Sequence, residues 1–479
     1  RLRNNIMASN GVGINMARDL KEFPKVIFFR QMLGPSFIIL ALGLGSGEVI
    51  LWPYLTSNFG LGIAWGALLG ITCQYFINME IERYALVKGE SVFVGMHKLW
   101  RWAAGWFIAS TFIGFGLPGI IAASAQVFSF MFGITDFKWT AIVFLILIGL
   151  ILSIGKTVYA MMEHITKIVI ILGIPFILVL TFIIARDLDW LALGQGIIGM
   201  GDGFWFWPAG MSLAVFLGAF AYAGAGGNLN LTQSIYVREK GYGMGRHAQK
   251  IAGLFRDIRE HQEVKLTGEN FKVDAVSISR FHAWWRKVSL EHLLVFWFLG
   301  ALAMLLLMLL AYAAAFGNPA NAQGILFVIN EGLAIGGLLA PGVGILFLLV
   351  VSVMLFQTQL GIMDSTSRIM AENLALWKLG GQPSGRINLS KIYFCFVWAQ
   401  IAFGIILFLF NIYEPKFLIV LGAVINGCAM AAHIALVNWM NHKALPKEFQ
   451  ARVWRKAIII VIFLTFLFFG GLTLWDKIF

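Results

Sequence analysis

Charged side chains are scarce in this chain. Only 13% of its 479 residues are Asp, Glu, Lys or Arg, whereas 59% are hydrophobic and the mean hydropathy is +0.81. A soluble domain needs more charge to cover its surface, so this composition excludes a soluble protein. The sequence predicts an all-α integral membrane protein, and its 42 Phe and 17 Trp residues suit a bilayer with aromatic interfaces.

Cysteine is also rare, and common catalytic or metal-binding motifs are missing. Cys73, Cys395 and Cys428 all fall in apolar runs, where a small buried residue is more common than a disulfide or a metal ligand. The sequence contains no CxxC motif, no HExxH motif and no Cys/His cluster. An enzyme would need a nucleophile with its base or a metal cage, so we expect no enzymatic activity and no cofactor.

Apolar runs of roughly 20 residues, the length that spans a bilayer, recur along the chain. We place eleven spans at 34–55, 61–87, 103–132, 138–155, 164–185, 209–236, 290–316, 338–373, 391–411, 417–440 and 456–475. We therefore expect the lipid bilayer to surround the protein.

The net charge of +12 could indicate nucleic-acid binding, but excess Lys and Arg in a multi-pass protein usually mark cytoplasmic loops. With the N-terminus inside, 32 of the 36 basic residues fall in cytoplasmic segments. We therefore expect a plasma-membrane protein with a cytoplasmic N-terminus, an external C-terminus and no nucleic-acid partner.

The first apolar span, which reads GPSFIILALGLGSGEVILWPY over residues 34–54, is interrupted at its middle. The interruption consists of Gly43, Gly45, Ser46, Gly47 and Glu48. Glycine makes a helix easy to unwind, and unwound backbone in hydrocarbon needs protein or a water-filled cavity to satisfy its amides. An acid inside the membrane is a candidate functional group. The alternative is a glycine-rich packing face in which Glu48 is structural and pairs with a neighbour.

A second span, 209–236, repeats this pattern. It is apolar as far as Tyr222 and then contains Gly224, Gly226, Gly227, Asn228, Asn230, Thr232 and Gln233. Two glycine-interrupted spans at matching positions in two halves of a chain are typical of transporters that bind substrate near the membrane midplane. The pattern therefore predicts a broken first helix, a broken sixth helix and a binding site between them.

These two spans, together with FQTQLGIMDSTSRIMAEN in the eighth, resemble the Nramp (natural resistance-associated macrophage protein) family of proton-coupled divalent-metal symporters. The resemblance covers essentially the whole chain. It implies the LeuT-type fold, with eleven transmembrane helices in two inverted five-helix repeats plus one, and with helices one and six discontinuous. The implied organisation is a cytoplasmic segment at 1–33, the first repeat at 34–185, the second repeat at 209–440 with a cytoplasmic loop at 238–288, and a last helix at 456–475.

The metal-binding motifs of that family differ here. The family's Asp-Pro-Gly-Asn matches Gly-Ser-Gly-Glu at 45–48, and its Met-Pro-His-Asn matches Ala-Gly-Gly-Asn at 225–228. The family has acidic residues in its third helix, and the matching stretch of this chain, PGIIAASAQ, has no carboxylate. Ala225 replaces a soft thioether ligand that favours transition metals, so we expect a hard cation to be preferred to Mn²⁺ or Fe²⁺.

The expected site combines the two interruptions with polar residues of spans eight and ten. The candidate substrate- or ion-binding residues are Gly45, Ser46, Glu48, Tyr222, Ala225, Gly226, Asn228, Gln357 and Asn426. Glu48 and Asn228 are the candidate metal ligands, and Glu48 and His433 are the candidate proton carriers.

Three further sets of polar residues have a structural as well as a functional interpretation. Gln357 and Asp364 lie seven residues apart on one helix face, as do Asn426 and His433. These pairs either line the pathway or satisfy neighbours inside the bundle. The third set, near the cytoplasmic end of span two, is most simply an interfacial charge cluster of Glu80, Glu82 and Arg83.

Together these features predict a secondary transporter that alternates access to a site between broken helices one and six. A small metal cation is the expected substrate. Two alternatives stay open: a transporter of a small organic solute, such as an amino acid, on the same fold, and a sensor or scaffold that does not transport.

Overall fold

The computed structural model describes residues 20–32, 34–154, 158–201, 203–250, 262–382 and 384–478. Ten helical stretches in these residues are long and apolar enough to cross a membrane: Pro35–Phe59, Leu61–Lys88, Ala103–Met131, Phe137–Ile154, Lys167–Ile184, Ala275–Ala315, Pro341–Leu379, Leu389–Leu409, Pro415–Ala444 and Val453–Thr473. The sixth predicted span does not appear among them because its glycine-rich middle divides it into two short helices. With it, the eleven predicted spans are accounted for.

The first half of the chain contains ten α-helices in its described residues. They are α1 (Phe29–Met32), α2 (Pro35–Gly43), α3 (Trp52–Phe59), α4 (Ala64–Lys88), α5 (Val92–Leu99), α6 (Ala103–Phe115), α7 (Gly119–Met131), α8 (Phe137–Ile154), α9 (Val158–Ile184) and α10 (Asp187–Ile197). A π-helical turn, Ser46–Leu51, joins α2 to α3, and we call this whole stretch segment 1. After α10, β1 (Met200–Gly201) and β2 (Phe204–Trp205) form a short antiparallel hairpin.

Nine α-helices follow in the described part of the second half. They are α11 (Leu213–Ala221), α12 (Thr232–Lys240), α13 (Ala275–His292), α14 (Leu299–Ala315), α15 (Leu326–Leu338), α16 (Pro341–Leu379), α17 (Leu389–Leu409), α18 (Pro415–Ala444) and α19 (Val453–Ile478). A 3-10 turn, Gly227–Leu231, lies between α11 and α12, and residues 213–240 form segment 6. Antiparallel strands β3 (Gln262–Lys265) and β4 (Ser384–Ile387) pair two loops.

The third span is divided, although we expected one continuous helix. α6 ends at Phe115 and α7 begins at Gly119, with Pro118 between them. Proline has no backbone N–H and cannot continue the hydrogen-bond pattern of a helix. The helix resumes when the N–H of Ala122 donates to the carbonyl of Pro118 at 3.0 Å. This interruption is a third break in the bundle.

The helix that contains the seventh predicted span begins fifteen residues before that span, because α13 starts at Ala275 and continues through a π-helical turn, Leu293–Phe298, into α14. The side chain of Asp274 caps the helix by accepting a hydrogen bond from the N–H of Ser277 at 2.9 Å. The polar composition of α13 hid this helix from a search for apolar runs, although its Trp284 is fully buried.

Burial places segment 1 at the centre of the bundle. Within its most apolar 18-residue window 94% of residues are buried, against 28% in Phe137–Ile154 and in Val453–Thr473. Those outer helices expose large apolar side chains such as Ile154 and Phe468. Exposed apolar surface on membrane-length helices fits contact with lipid.

Contacts between loops group them into two sets, as the predicted alternation of spans requires. In one set the rings of Phe23, Phe271 and Phe449 meet, with centroid separations of 4.9 Å and 5.5 Å, and all three belong to loops predicted to be cytoplasmic. In the other set Lys416 donates to the carbonyl of Ala322 at 2.8 Å, and both lie in loops predicted to be external. The grouping fits the span assignment, while which set faces the cytoplasm stays a prediction.

A candidate substrate site between two helix breaks

Segment 1 loses α-helical geometry between Gly43 and Trp52. α2 ends at Gly43, and the π-helical turn Ser46–Leu51 precedes α3. The hydroxyl of Thr358 in α16 donates a hydrogen bond of 3.3 Å to the carbonyl of Ala41 near the end of α2. A neighbouring helix therefore helps to satisfy the broken backbone, as an interrupted membrane helix requires.

Segment 6 is unwound over residues 222–226. Gly224 and Gly226 have φ angles of 121° and 70°, which residues with side chains rarely adopt. Gln74, in the middle of α4, donates to the carbonyl of Ala221 at 2.9 Å and accepts from the N–H of Gly226 at 3.0 Å. One side chain thus satisfies backbone groups on both sides of this break.

The two breaks lie against each other. A Cβ atom added to Gly43 would be 2.7 Å from the main chain of Gly224 and 2.8 Å from Oε1 of Glu48. A Cβ atom on Gly47 would overlap the carbonyl group of Tyr222. The glycines that were predicted to unwind the helices therefore also allow the two backbones to touch.

Glu48 lies at this contact, and its side chain is completely buried. Within the described residues, neither of its carboxylate oxygens has a partner with hydrogen-bond geometry. Buried polar atoms normally have partners, and an unpaired carboxylate is among the costliest groups to bury. The carboxylate is therefore suited to binding a proton or a cation. Ser46 and Ala225, two other predicted site residues, are also buried within the breaks.

Asn426 of α18 connects the site to segment 6 and to the third span. Its amide nitrogen donates to the carbonyl of Gly114 at 2.9 Å and to the hydroxyl of Tyr222 at 2.8 Å. Its amide oxygen, which has no partner among the described residues, lies so close to Gly227 that a side chain there would clash. The structure thus brings two predicted site residues, Tyr222 and Asn426, into direct contact.

Asn228 faces the third and tenth spans. Its amide nitrogen donates to the hydroxyls of Ser110 at 2.8 Å and Thr111 at 3.0 Å. Its amide oxygen lies 3.4 Å from Nδ1 of His433, whose Nε2 has no partner in the described chain. No group of three or more His, Cys, Asp or Glu that could hold a metal ion occurs among the described residues. A cation at this site would therefore use neutral oxygen atoms besides Glu48.

Gln357 and Asp364, which share a face of α16, have different surroundings. Asp364 accepts hydrogen bonds from Arg368 at 2.9 Å and from Tyr393 at 2.7 Å, so it belongs to a buried ion pair. Asp364 therefore follows the second of the two predicted alternatives, in which polar residues of span eight bond to neighbours inside the bundle instead of lining the pathway. Gln357 is buried, and Oε1 of Gln359 has no partner in the part of the chain described. The 357–359 stretch is therefore the part of α16 that can serve the site.

A small cavity lies beside Tyr222. Its lining includes Gly114, Phe115, Leu117, Gly119, Tyr222, Gln359 and Gly422. The rings of Phe115 and Tyr222 stack with centroids 6.2 Å apart. Since four of these residues flank the interruption at Pro118, the break in the third span shapes this cavity.

Sequence reasoning missed three side chains that hold the breaks in place: Gln74, Ser110 and Thr111. Each is a polar residue inside an apolar span, and this was the only feature of the sequence that could have marked them as candidates for the site. Their bonded partners in segment 6 lie 117 to 152 residues away in sequence. Local spacing therefore carried no information about what they contact.

No protein-family model matches this chain, and no curated protein matches it in sequence. Its structure is similar to that of a mutant of the Eremococcus coleocola manganese transporter, with a TM-score of 0.69 and 12% identity over 94% of this chain and 88% of that one. It is also similar to Mhp1, a nucleobase-cation-symport-1 family transporter solved in a closed conformation with bromovinylhydantoin bound. There the TM-score is 0.52 and the identity 12%, over 95% of this chain and 92% of that one.

Both of these neighbours are secondary transporters with the LeuT fold, one of them from the Nramp family. The predicted fold class is therefore confirmed. At 12% identity the likeness concerns the fold alone.

Proposed function

We propose that this protein is a secondary transporter related to the Nramp family and that it moves a small cation by alternating access to the site between segments 1 and 6. The observation that carries this proposal is the buried, unpartnered carboxylate of Glu48 where the two breaks meet. Backbone groups freed at helix breaks supply partial charges, and Glu48 supplies the full negative charge that attracts a cation.

The available donors favour a hard cation. The carboxylate of Glu48, the amide oxygen of Asn426 and the backbone carbonyls of the breaks are all oxygen ligands, which Mg²⁺ and Ca²⁺ prefer. Ala225 offers no soft sulfur atom that would select a transition metal. We therefore expect a hard or partly hydrated ion to be transported in preference to Mn²⁺ or Fe²⁺.

The test is cation uptake by the purified protein in liposomes that contain an ion-sensitive dye. Replacing Glu48 by Gln keeps the side-chain shape and removes its charge. We expect Glu48→Gln to reduce uptake at least about tenfold, which corresponds to ~1.4 kcal/mol of lost interaction. The matched control is Glu331→Gln in α15, since Glu331 is also buried with an unpartnered oxygen but lies outside both breaks. This control should transport like the wild type.

Two results would contradict this assignment. Wild-type uptake by a stable Glu48→Gln protein would remove Glu48 from the mechanism. A large loss of melting temperature in this variant would instead make Glu48 a structural group with a buried partner, since breaking such a pair costs about 3–5 kcal/mol.

The preference among cations has its own experiment. Liposomes loaded with a Mn²⁺-sensitive dye should show weak Mn²⁺ uptake beside that of Mg²⁺ or Ca²⁺, because Gly45 and Ala225 stand where the family has a carboxylate and a thioether. Fast, saturable Mn²⁺ uptake would show that soft ligands are not needed for this ion here.

A small organic solute is the second candidate substrate. The cavity lined by Phe115, Tyr222 and Gln359 is only about 10 Å³ here, so a flat polar molecule would bind there after the two stacked rings move apart. The fold shared with Mhp1 is compatible with such cargo. Calorimetry with divalent ions beside a panel of nucleobases and amino acids separates the two candidates, and silence in both would favour a sensor or scaffold.

A further inference from the structure

A second group of buried polar side chains lies between the first half of segment 1 and the second half of segment 6. It consists of Ser36 in α2, Glu82 in α4, Gln233 in α12, and Glu291 and His292 in α13, and we call it the acid–histidine cluster. Each of these residues is at most 1% exposed. Four helices that are far apart in sequence thus meet around two acids and one imidazole.

The cluster corrects our interpretation of the end of span two. Glu80 does form an ion pair with Arg83 at 2.7 Å, and it also accepts a hydrogen bond from Arg455 at 2.8 Å. Glu82, two residues later, points into the bundle instead, because successive helical residues face different directions. The expected interfacial cluster therefore includes Glu80 but not Glu82.

The hydrogen bonds of the cluster form a directed chain. The hydroxyl of Ser36 donates to Oε2 of Glu291 at 2.5 Å and lies 2.9 Å from Nδ1 of His292. The same Nδ1 is 3.4 Å from Oε1 of Glu82, which also accepts a hydrogen bond from the amide of Gln233. While Glu291 is ionised it accepts the single Ser36 proton, so Nδ1 of His292 is then the donor towards Ser36 or Glu82. In the neutral ring, Nε2 is then an acceptor.

Every titratable member of the cluster keeps one polar atom without a partner in the described residues. These atoms are Oε2 of Glu82, Oε1 of Glu291 and Nε2 of His292, and Oε1 of Gln233 is unpartnered as well. Two ionised acids this close in a low-dielectric environment repel each other and lose their hydration. A proton bound to one of the free acceptors would relieve both costs.

The charges around the cluster do not neutralise it. Tyr75 packs directly against the cluster, because its ring stacks on His292. The other charged groups of this region are Glu80, Arg83, Arg455 and Lys240. Arg83 and Arg455 both pair with Glu80, at 2.7 Å and 2.8 Å. Lys240 acts on Glu291 electrostatically. The two acids of the cluster, Glu82 and Glu291, therefore carry more negative charge than Lys240 can offset.

One face of α4 connects this cluster to the helix breaks. Gln74, Asn78 and Glu82 follow one another at intervals of four residues, so they line one side of the helix over about 12 Å. Gln74 bridges the break in segment 6, and Asn78 is fully buried with both amide atoms unpartnered in the described chain. Asn230 of segment 6 has the same properties. A buried polar route thus runs from the breaks to the cluster.

We propose that the acid–histidine cluster is a proton-binding site whose protonation controls how α2 and α12 are tied to α4 and α13. A proton taken from solvent by Glu82 or Glu291 neutralises the acceptor to which Gln233 or Ser36 donates. Hydrogen bonds to an ionised acceptor are the stronger kind, so each tie weakens when its acid is protonated. The coupling of this proton to transport rests on the proposed function, whereas the proton binding itself does not.

The test is infrared difference spectroscopy of the purified protein in nanodiscs, titrated from about pH 9 to pH 5. A protonated carboxylic acid gives a carbonyl band that a carboxylate lacks. We expect this band to grow as the pH falls and to lose intensity in Glu82→Gln and in Glu291→Gln. The intensity that these variants remove should persist in Glu331→Gln.

Ser36→Ala provides a second variant, which keeps both acids and removes the hydroxyl that lies between Glu291 and His292. It should shift the pH midpoint of the band, and it tests the proposal even if the two glutamine variants do not fold. Identical bands and midpoints in the wild type and the cluster variants would overturn the proposal. Absence of cation uptake by the wild type would contradict the proposed function and leave this result intact.

Discussion

At the scale of single residues, Gln74 satisfies backbone groups on both sides of the break in segment 6. Its amide group has both of the properties that an interrupted backbone needs, since it donates to the carbonyl of Ala221 and accepts from the N–H of Gly226. No aliphatic residue could replace either bond. The shape of the break in segment 6 therefore depends on a residue of α4.

Replacing Gln74 by Ala should lower the melting temperature. The change leaves two buried backbone groups without partners, and each such loss costs about 1–3 kcal/mol. Thermal unfolding of the purified protein in detergent, followed by tryptophan fluorescence, measures the effect. Gln382→Ala, at an exposed position, is the control and should be neutral. Equal melting temperatures for the two variants would show that the bonds to Gln74 do not stabilise the break.

At the scale of elements, the glycines of segment 1 differ in kind from those of an ordinary membrane helix. A side chain at Gly47 would overlap the carbonyl of Tyr222, whereas one at Gly471 in α19 would meet nothing within 4 Å. The same substitution should therefore have opposite effects at the two positions.

Gly47→Ala should destabilise the protein and reduce transport, because the contact between segments 1 and 6 has to open to admit a methyl group. Gly471→Ala should leave transport unchanged and raise stability by up to about 1 kcal/mol, since alanine is the better helix former. Melting temperature and cation uptake of both variants measure these effects. Tolerance of alanine at Gly47 would contradict the close packing of the two breaks.

The elements also show how far sequence reasoning reaches. The breaks in segments 1 and 6 were predictable because glycine-rich interruptions are local features of apolar spans. The break at Pro118 carried a weaker local signal, a single proline within a long span. The early start of α13 was hidden because its buried face, which includes Trp284, is mixed with charged residues. The ties made by Gln74 and by the acid–histidine cluster join distant parts of the chain, and no local pattern encodes such pairs.

At the scale of the whole molecule, the loop contacts divide the protein into two faces. The strand pair β3–β4 joins the loop after segment 6 to the loop before α17, and the rings of Phe23, Phe271 and Phe449 join three loops of this face. The excess of basic residues in these loops predicts that this face is cytoplasmic.

Cysteine labelling in sealed right-side-out vesicles tests this orientation. In a background with Cys73, Cys395 and Cys428 replaced by alanine, Ser279→Cys should resist an impermeant maleimide, while Gln195→Cys should react with it. Both positions are exposed, so access to the reagent depends on the side of the membrane. Labelling of Ser279→Cys with protection of Gln195→Cys would invert the assignment.

The complete enclosure of Glu48 has a thermodynamic consequence for turnover. An ion cannot reach or leave a carboxylate that protein covers on every side. If Glu48 binds the transported ion, as we propose, the conformation described here is therefore the occluded state between states open to one face or the other. A cargo shifts the populations of such states only by the difference between its affinities for them. A cation that bound all three states equally well, however tightly, would occupy the carrier without moving its equilibrium.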